Sequence, residues 1–350
     1  MKRILKQSVG IDVAQKELVV QIGRLYEDLS TELYAYKCFA NTAKGFILLV
    51  QWVLKLTEPT VGIRYVMEAT GVYHESLACY LADHGYSVSI ILPNKISNYF
   101  RTLSIRTITD KSASEAITLF GLERNLEDWK RPKPVFKYLR QLTRERNQLV
   151  QERTMIKNQL HAEKTESDPN SSTLKRIKQR IDLLNKQEII IKKEIEALVK
   201  KEMDLKQELI LLRTIPGVGT LTAATVLAET NGFELVRNKR QLASYAGFDV
   251  QEKQSGTSVK GKTRISKKGN KNLRKAMHFP ALTVIRHDER FKAIFARLVS
   301  KHGIKMKAAV AVQRKLLEMC YTIFKSRTPY NKNYLQKLQV CSGKHEIQRA

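Results

Sequence analysis

Between residues 174 and 212 the apolar residues fall at alternating three- and four-residue intervals: Leu174, Ile177, Ile181, Leu184, Ile191, Ile195, Leu198, Leu205, Leu209 and Leu212. Only Glu188 and Glu202 interrupt the register, and most of the intervening residues are Lys, Glu or Gln. A helix with one narrow apolar seam satisfies this spacing, and the seam leaves water only by lying against another helix. An earlier stretch, 135–163, supplies a partner through Leu139, Leu142, Leu149, Ile156 and Leu160. The Ser-Asp-Pro-Asn-Ser-Ser run at 167–172 breaks the chain between them. The pattern therefore predicts a long antiparallel coiled-coil hairpin over 132–212, a spacer and oligomerisation element.

The residues before this arm have a different texture. Short apolar or β-branched runs at 8–12, 18–22, 62–67 and 87–92 read as strands, the first two joined by a turn around Gln15-Lys16. Helical spacing occupies 46–55, 73–84 and 112–124. Strands alternating with helices predict a layered α/β domain over 1–131. After the arm, 213–328 reads as mostly α, opening with Ile-Pro-Gly-Val-Gly at 215–219 and an apolar helix at 221–229. Residues 329–350 are polar and basic and are expected to form a loose tail.

Charge narrows the class of partner. The 350 residues include 62 Lys and Arg against 34 Asp and Glu, a net charge of +28. Such self-repulsion makes sense chiefly where a polyanion neutralises it, which points to nucleic acid. Cys38, Cys79, Cys320 and Cys341 lie far apart, which argues against a disulfide frame or a zinc site and for reduced thiols. With no run of about 18 apolar residues and no signal-peptide core, the expectation is a soluble cytoplasmic protein without a membrane partner.

Three sets of residues carry candidate chemistry. Asp12 ends one predicted strand (GIDVAQ), Glu68 ends another (VMEATG), and Asp110 opens a helix (TDKSASEA). Carboxylates gathered at one edge of a sheet repel unless a cation neutralises them, and Mg²⁺ or Mn²⁺ takes oxygen ligands of this kind. Paired ions of that type stabilise the attacking and leaving oxygens of phosphoryl transfer. Gly217 and Gly219 belong to a candidate helix-hairpin-helix turn, whose backbone N–H groups can approach a phosphate; a tight packing turn is the plainer alternative.

The stretch at 254–275 holds eight Lys and Arg and no acidic residue. Lys260, Lys262, Arg264, Lys267, Lys268, Lys271 and Arg274 are its candidate phosphate contacts. It opens with the hydroxyls Ser255, Thr257 and Ser258, and a serine can attack a phosphodiester whose charge is held by cations. Spacing alone leaves that reading open against a plain solvated charge run. His74, Trp52, Trp129, Tyr245 and Phe248 are better read as packing residues than as ligands of substrate.

These segments together resemble the insertion-sequence 110 family of transposases, the bridge-RNA-guided recombinases. The likeness rests on GIDVAQKE, MEATGVYH, TDKSASEAITLFG, RTIPGVG, YAGF followed by QSG, and KKGNKNLRKAM, in that order along nearly the whole chain. It implies an RNase H-like (RuvC-like) N-terminal domain with an acidic DEDD set, a coiled coil, and a C-terminal helical transposase domain with a nucleophilic serine. Asp12, Glu68 and Asp110 match the first three acids, and Ser255 matches the nucleophile, with Ser258 in reserve. It further implies a structured non-coding guide RNA and double-stranded donor and target DNA. Strand exchange through a phosphoserine link would take place in a tetramer, a dimer of dimers associated with the nucleoid when acting.

One position departs from that pattern. A second aspartate is expected three residues after Asp110, and Ala113 stands there. Glu115 is about 140° further round the helix from Asp110 and substitutes poorly. Ala113 is either a natural loss of a ligand or a deliberate replacement of an aspartate; the intact surroundings favour the second. Either way the chain is expected to bind nucleic acid and to recombine poorly. The competing readings are a metal-dependent junction endonuclease without serine chemistry and a non-enzymatic nucleic-acid-binding protein.

Overall fold

Strand β1 (Ile4–Val13) is the centre of the N-terminal unit because it is apolar on one face and small on the other. Its odd-numbered residues Val9, Ile11 and Val13 are buried in a cluster with helix residues such as Leu49 and Leu77. Its even-numbered residues Ser8, Gly10 and Asp12 turn to the opposite face, as the period of two requires. The structure, a computed structural model, describes residues 2–69, 71–103, 107, 109–252, 254–255, 259–261 and 263–331. It divides into two units, Met1–Arg131 and Pro132–Ala350.

In the first unit β1 is followed by β2 (Glu17–Tyr26), β3 (Thr31–Ala40), α1 (Ala43–Leu56), β4 (Ile63–Glu68), α2 (Glu75–Asp83), β5 (Ser87–Ile91), α3 (Pro93–Phe100) and α4 (Asp110–Glu123). The sheet order is β3-β2-β1-β4-β5. The first three strands are antiparallel, while β1, β4 and β5 run parallel. This mixed sheet, with helices on both faces, fits the RNase H-like expectation. Strand β3 is absent from the strands that the sequence predicts. It lies at the edge and only Phe39 of it is buried, so its apolar alternation is weak.

The second unit begins with α5 (Pro134–Thr165) and α6 (Ser171–Lys201), the latter capped by the Asn170 side chain on Thr173 N–H at 3.0 Å. They run antiparallel: Arg146 pairs with Glu188, Arg153 with Asn185, and Arg180 with Gln159. Glu188, which interrupts the apolar register, is buried and bound by Arg146, Arg153 and Lys192. The second interruption has another meaning. At Glu202, whose backbone is extended, the helix stops and a separate helix α7 (Met203–Arg213) begins. Leu205, Leu209 and Leu212 of this shorter helix are buried in one cluster with Leu139, Leu142, Ile191 and Ile195. A three-four spacing specifies an apolar face, and a globular helix buries that face as readily as a coiled coil does.

The rest of the unit comprises α8 (Thr220–Thr230), α9 (Lys239–Ala246), the short strands β6 (Val250–Gln251), β7 (Gln254–Ser255), β8 (Val259–Lys260) and β9 (Arg264–Ile265), then α10 (Lys271–Ala276), α11 (His278–His287), α12 (Glu289–His302) and α13 (Lys305–Ser326). The core gathers around Phe233, Phe248, Phe291 and Leu316. No described helix is long and apolar enough to cross a membrane. Most of the expected basic tail, 332–350, lies outside the described residues.

Candidate functional site

Close packing of α4 on the sheet places the acids. A Cβ on Gly121 would lie 2.3 Å from Ser8 Oγ, and a Cβ on Gly10 2.3 Å from Thr118 Oγ1 and 2.5 Å from Ser114 O. Ascending β1 from Ser8 to Gly10 thus corresponds to descending α4 from Gly121 to Ser114. One further step along the same face brings Asp12 opposite the first turn of α4, which holds Asp110 and Ala113. Thr109 caps that turn in a reciprocal box with Ser112. Strand register brings the second acid alongside: Ile11 pairs with Met67 across the parallel β1–β4 ladder, so Asp12 and Glu68 follow on neighbouring strands.

Electrostatics agrees with this placement. Burial pushes the Asp12 carboxyl above its ordinary value, and the charges of Asp110 and then Glu68 push it further, against a hydrogen bond from the Val13 backbone N–H. Asp12, Asp110 and Glu68 together offer an all-oxygen donor set suited to a hard divalent cation. Among the described residues no three Asp, Glu, His or Cys side chains are already arranged as a metal cage. Ala113 is half-buried in the same turn, three residues from Asp110, where an aspartate would add a fourth carboxylate.

The second candidate set lies in the other unit. Strands β6 and β9 pair Val250 with Ile265 and Gln251 with Arg264, while β7 and β8 pair Gln254 with Lys260 and Ser255 with Val259. Ser255 therefore sits on the inner pair of a nested β-arm. Its side chain and that of Lys260 lie outside the described residues, as do Thr257, Ser258 and Lys262 entirely.

The base of this arm is firmly tied. Ser266 Oγ donates to Asp249 Oδ1 at 2.6 Å, and the Lys267 N–H donates to Gly247 O at 3.2 Å. Gly247 adopts φ +72°, and a Cβ on Gly269 would stand 2.5 Å from Tyr245 O. Lys267 itself holds φ +55°, a strained conformation for a residue with a side chain. Arg264, Lys267, Lys268 and Lys271 are exposed. Arg274 is committed elsewhere: its Nη1 donates to Ala246 O at 2.7 Å and Gly269 O at 3.2 Å, closing the end of α9.

The two hairpin glycines also separate. Gly217 adopts φ +77°, and a Cβ there would meet Pro280 O at 2.8 Å, so packing against α11 explains its glycine. Gly219 caps α8 with open space around it, leaving the first N–H groups of that helix approachable. Of the residues read as packing, Trp52 lies against Phe39, Trp129 joins the first-unit core, Phe248 is buried, and the Tyr245 hydroxyl donates to Glu229 O.

Sequence reasoning missed Glu229. It is only 1% exposed and accepts from Arg144 Nε and Nη2 at 2.7 and 2.8 Å, from Asn270 Nδ2 at 2.7 Å and from Asn272 Nδ2 at 2.8 Å. Burial opposes its ionisation, but these donors outweigh burial and hold its carboxyl below the ordinary value. An acid at the end of an apolar element, here a helix, is the signal that singled out Asp12 at the end of a strand, and it was available in the sequence.

Comparison with known proteins places these sites in context. Residues 9–163 match a model of IS110-type DEDD transposases, and residues 210–296 match the transposase IS116/IS110/IS902 family. The pilin gene-inverting protein of Moraxella lacunata is 30% identical over 333 residues, covering 93% of this chain and 98% of that one. The chain belongs to the IS110 family of transposases. The pilin gene-inverting protein of Moraxella bovis is likewise 30% identical over 333 residues. Thermus thermophilus RuvC in complex with a Holliday junction substrate superposes on 35% of the chain at 9% identity and a TM-score of 0.28, too low to bear on the fold. Family membership supports a DNA transposase or recombinase role.

Proposed function

We propose that this transposase joins donor to target DNA by serine attack on phosphodiesters, assisted by divalent metal on Asp12, Glu68 and Asp110. The convergence of those three acids, with Asp12 raised by burial and then by its two neighbours, carries the reading. Mg²⁺ or Mn²⁺ held there would neutralise charge on the attacking and leaving oxygens of phosphoryl transfer. The chain's own residues supply the rest. Ser255 Oγ forms a bond to phosphorus as a bridging P–O bond breaks, and the serine proton passes to the departing strand end. Attack by the hydroxyl of another strand on that phosphoserine reverses the step and completes exchange without releasing energy. Arg264, Lys267, Lys268 and Lys271, all exposed, hold the phosphates on either side.

The acids and the serine lie in different units of the chain, and a site completed between subunits of a tetramer accommodates that division. A structured guide RNA would select donor and target by base pairing while the protein reads backbone and shape. The relatives are named for inverting a pilin gene, so inversion of a segment between two sites is a suitable substrate. Ala113 leaves the acid set one carboxylate short and lowers turnover.

The experiment compares the chain as it stands with Ala113→Asp, Ser255→Ala and the double variant on plasmids bearing the element's ends, with RNA transcribed from its flanks. Ala113→Asp is expected to raise joining or inversion, and Ser255→Ala to abolish it in that background. Cleavage that persists without Ser255 would establish a metal-dependent junction endonuclease instead. Indifference to both changes would leave a nucleic-acid-binding protein.

A further inference from the structure

The helices that follow the β-arm leave an aromatic ring largely exposed. Phe279 is 75% exposed and Leu282 beside it 43% exposed. Helices α10 and α11 form one helical path, because Met277 between them keeps α conformation and its backbone bonds to Leu273 O and from Ala281 N continue the ladder. At 100° per residue, Lys271, Lys275, Phe279, Leu282 and Arg286 then fall within about 80° of arc on one face. All five are exposed.

The charge around the ring is of one sign. No acidic residue occurs from position 253 to 287. Among the described residues Lys271, Lys275 and Arg286 have no carboxylate partner. Lys275 stands about 6 Å before Phe279 along the helix and Arg286 about 10 Å after it, at 1.5 Å per residue.

We propose that Phe279 is a stacking platform for an unpaired base, with Lys275 and Arg286 holding the phosphates that flank it. The inference rests on the nucleic-acid reading above and names which strand this face takes. A ring can stack only on a base whose own face is free, so the occupant is an unpaired strand rather than a duplex. A second copy of the chain fits poorly, since each copy carries a net charge of +28 and this face offers only cations. Among the described residues, Phe279 has His278 as its ring neighbour, at 5.4 Å. Its exposure also means that its removal does not empty a core.

The test uses the full chain and fluorescence anisotropy with three probes: unstructured oligothymidylate and oligouridylate of about 12 nucleotides, and a duplex of equal length. Phe279→Ala is expected to weaken one or both single strands by roughly five- to a hundredfold while leaving the duplex unchanged, and Phe279→Trp to restore binding. Which strand loses more identifies DNA or RNA as the source. Replacing the probe's bases by abasic sites should weaken the unaltered protein and not Phe279→Ala. Unchanged single-strand affinity in Phe279→Ala, with duplex binding intact in both proteins, overturns the stacking role alone. A lower mass for Phe279→Ala in light scattering overturns it in favour of a subunit contact. Absence of binding to all three probes by the unaltered protein overturns both this inference and the broader reading.

Discussion

Thr118 Oγ1 accepts a hydrogen bond from the Gly10 backbone N–H at 3.1 Å in the interior of the first unit. The same oxygen lies 2.7 Å from Ser114 O and 3.1 Å from Gln21 O, within reach of its own hydrogen. The hydroxyl thereby joins α4 to both β1 and β2 at the one place where the strand lacks a Cβ. This contact fixes the height of Asp110 and Ala113 above Asp12.

Substitution at either partner should therefore disturb metal binding from a distance. Thr118→Val leaves the Gly10 N–H without its acceptor and is expected to cost about 1–3 kcal/mol. Gly10→Ala is expected to cost more, because its Cβ would stand 2.5 Å from the backbone oxygen of Ser114 and the helix would have to move. Thermal melts with and without Mn²⁺ check both: lower Tm and a smaller Mn²⁺-induced rise are expected. A Gly10→Ala protein that melts and responds to Mn²⁺ normally would remove this contact from the account.

Asp12→Asn should act in opposite directions with and without metal. Burial and the charges of Asp110 and Glu68 disfavour the ionised Asp12 carboxylate, so neutralising it raises the Tm of the metal-free protein near neutral pH. The unaltered chain gains about 2.7 kcal/mol when a divalent ion is present at about 100 times its Kd. The asparagine variant should lose most of that gain. If Asp12→Asn lowers the metal-free Tm and keeps the full metal response, Asp12 is a structural acid.

Much of this was legible in the sequence because periodicity reports burial. The alternation that predicts β1 also puts Gly10 and Asp12 on one face, and Asp12, Glu68 and Asp110 stand out as acids at element ends. Strand β3 was not legible, since an edge strand with one buried side chain carries little alternation. The break at Glu202 was visible as an interruption, yet so was Glu188, and the two have opposite outcomes: one ends a helix, the other is bound by three cations. Cross-strand partners decide between them, and no local spacing encodes those partners. Arg274 reads as one more cation in a basic run until the carbonyls of Ala246 and Gly269 come beside it.

Glu188 makes the α5–α6 pair sensitive to acid. Burial alone would raise its carboxyl, but hydrogen bonds from Lys192, Arg153 and Arg146 outweigh burial and hold it at about 2, below the ordinary 4.5. A carboxylate with a depressed folded value contributes stability that is full above the unfolded value and is lost as pH falls through the folded one. The window is therefore pH 4.5 down to about 2. Glu188→Gln is expected to cost about 1–3 kcal/mol at neutral pH and to flatten the loss across that window. Urea titrations at several pH values check this. An equal acid slope in both proteins would assign the sensitivity to other carboxylates.

Glu229 should govern the arm that carries Ser255 without touching substrate. Its carboxylate binds Asn270 and Asn272 at the start of α10, and its backbone oxygen accepts from Tyr245 at the end of α9, the two elements between which the arm emerges. Arg144 of α5, half exposed, completes the cluster. Glu229→Ala empties a buried polar position and leaves three sets of donors without their acceptor, a loss expected to cost about 2–4 kcal/mol. Glu229→Gln retains the shape and one acceptor oxygen, so a smaller loss follows. Limited proteolysis distinguishes a local from a global effect. If the cluster anchors the arm, cleavage between residues 247 and 270 should accelerate in Glu229→Gln while cleavage in the first unit stays as it was. Uniform acceleration throughout the second unit would mean that Glu229 serves the core as a whole and has no particular hold on the serine.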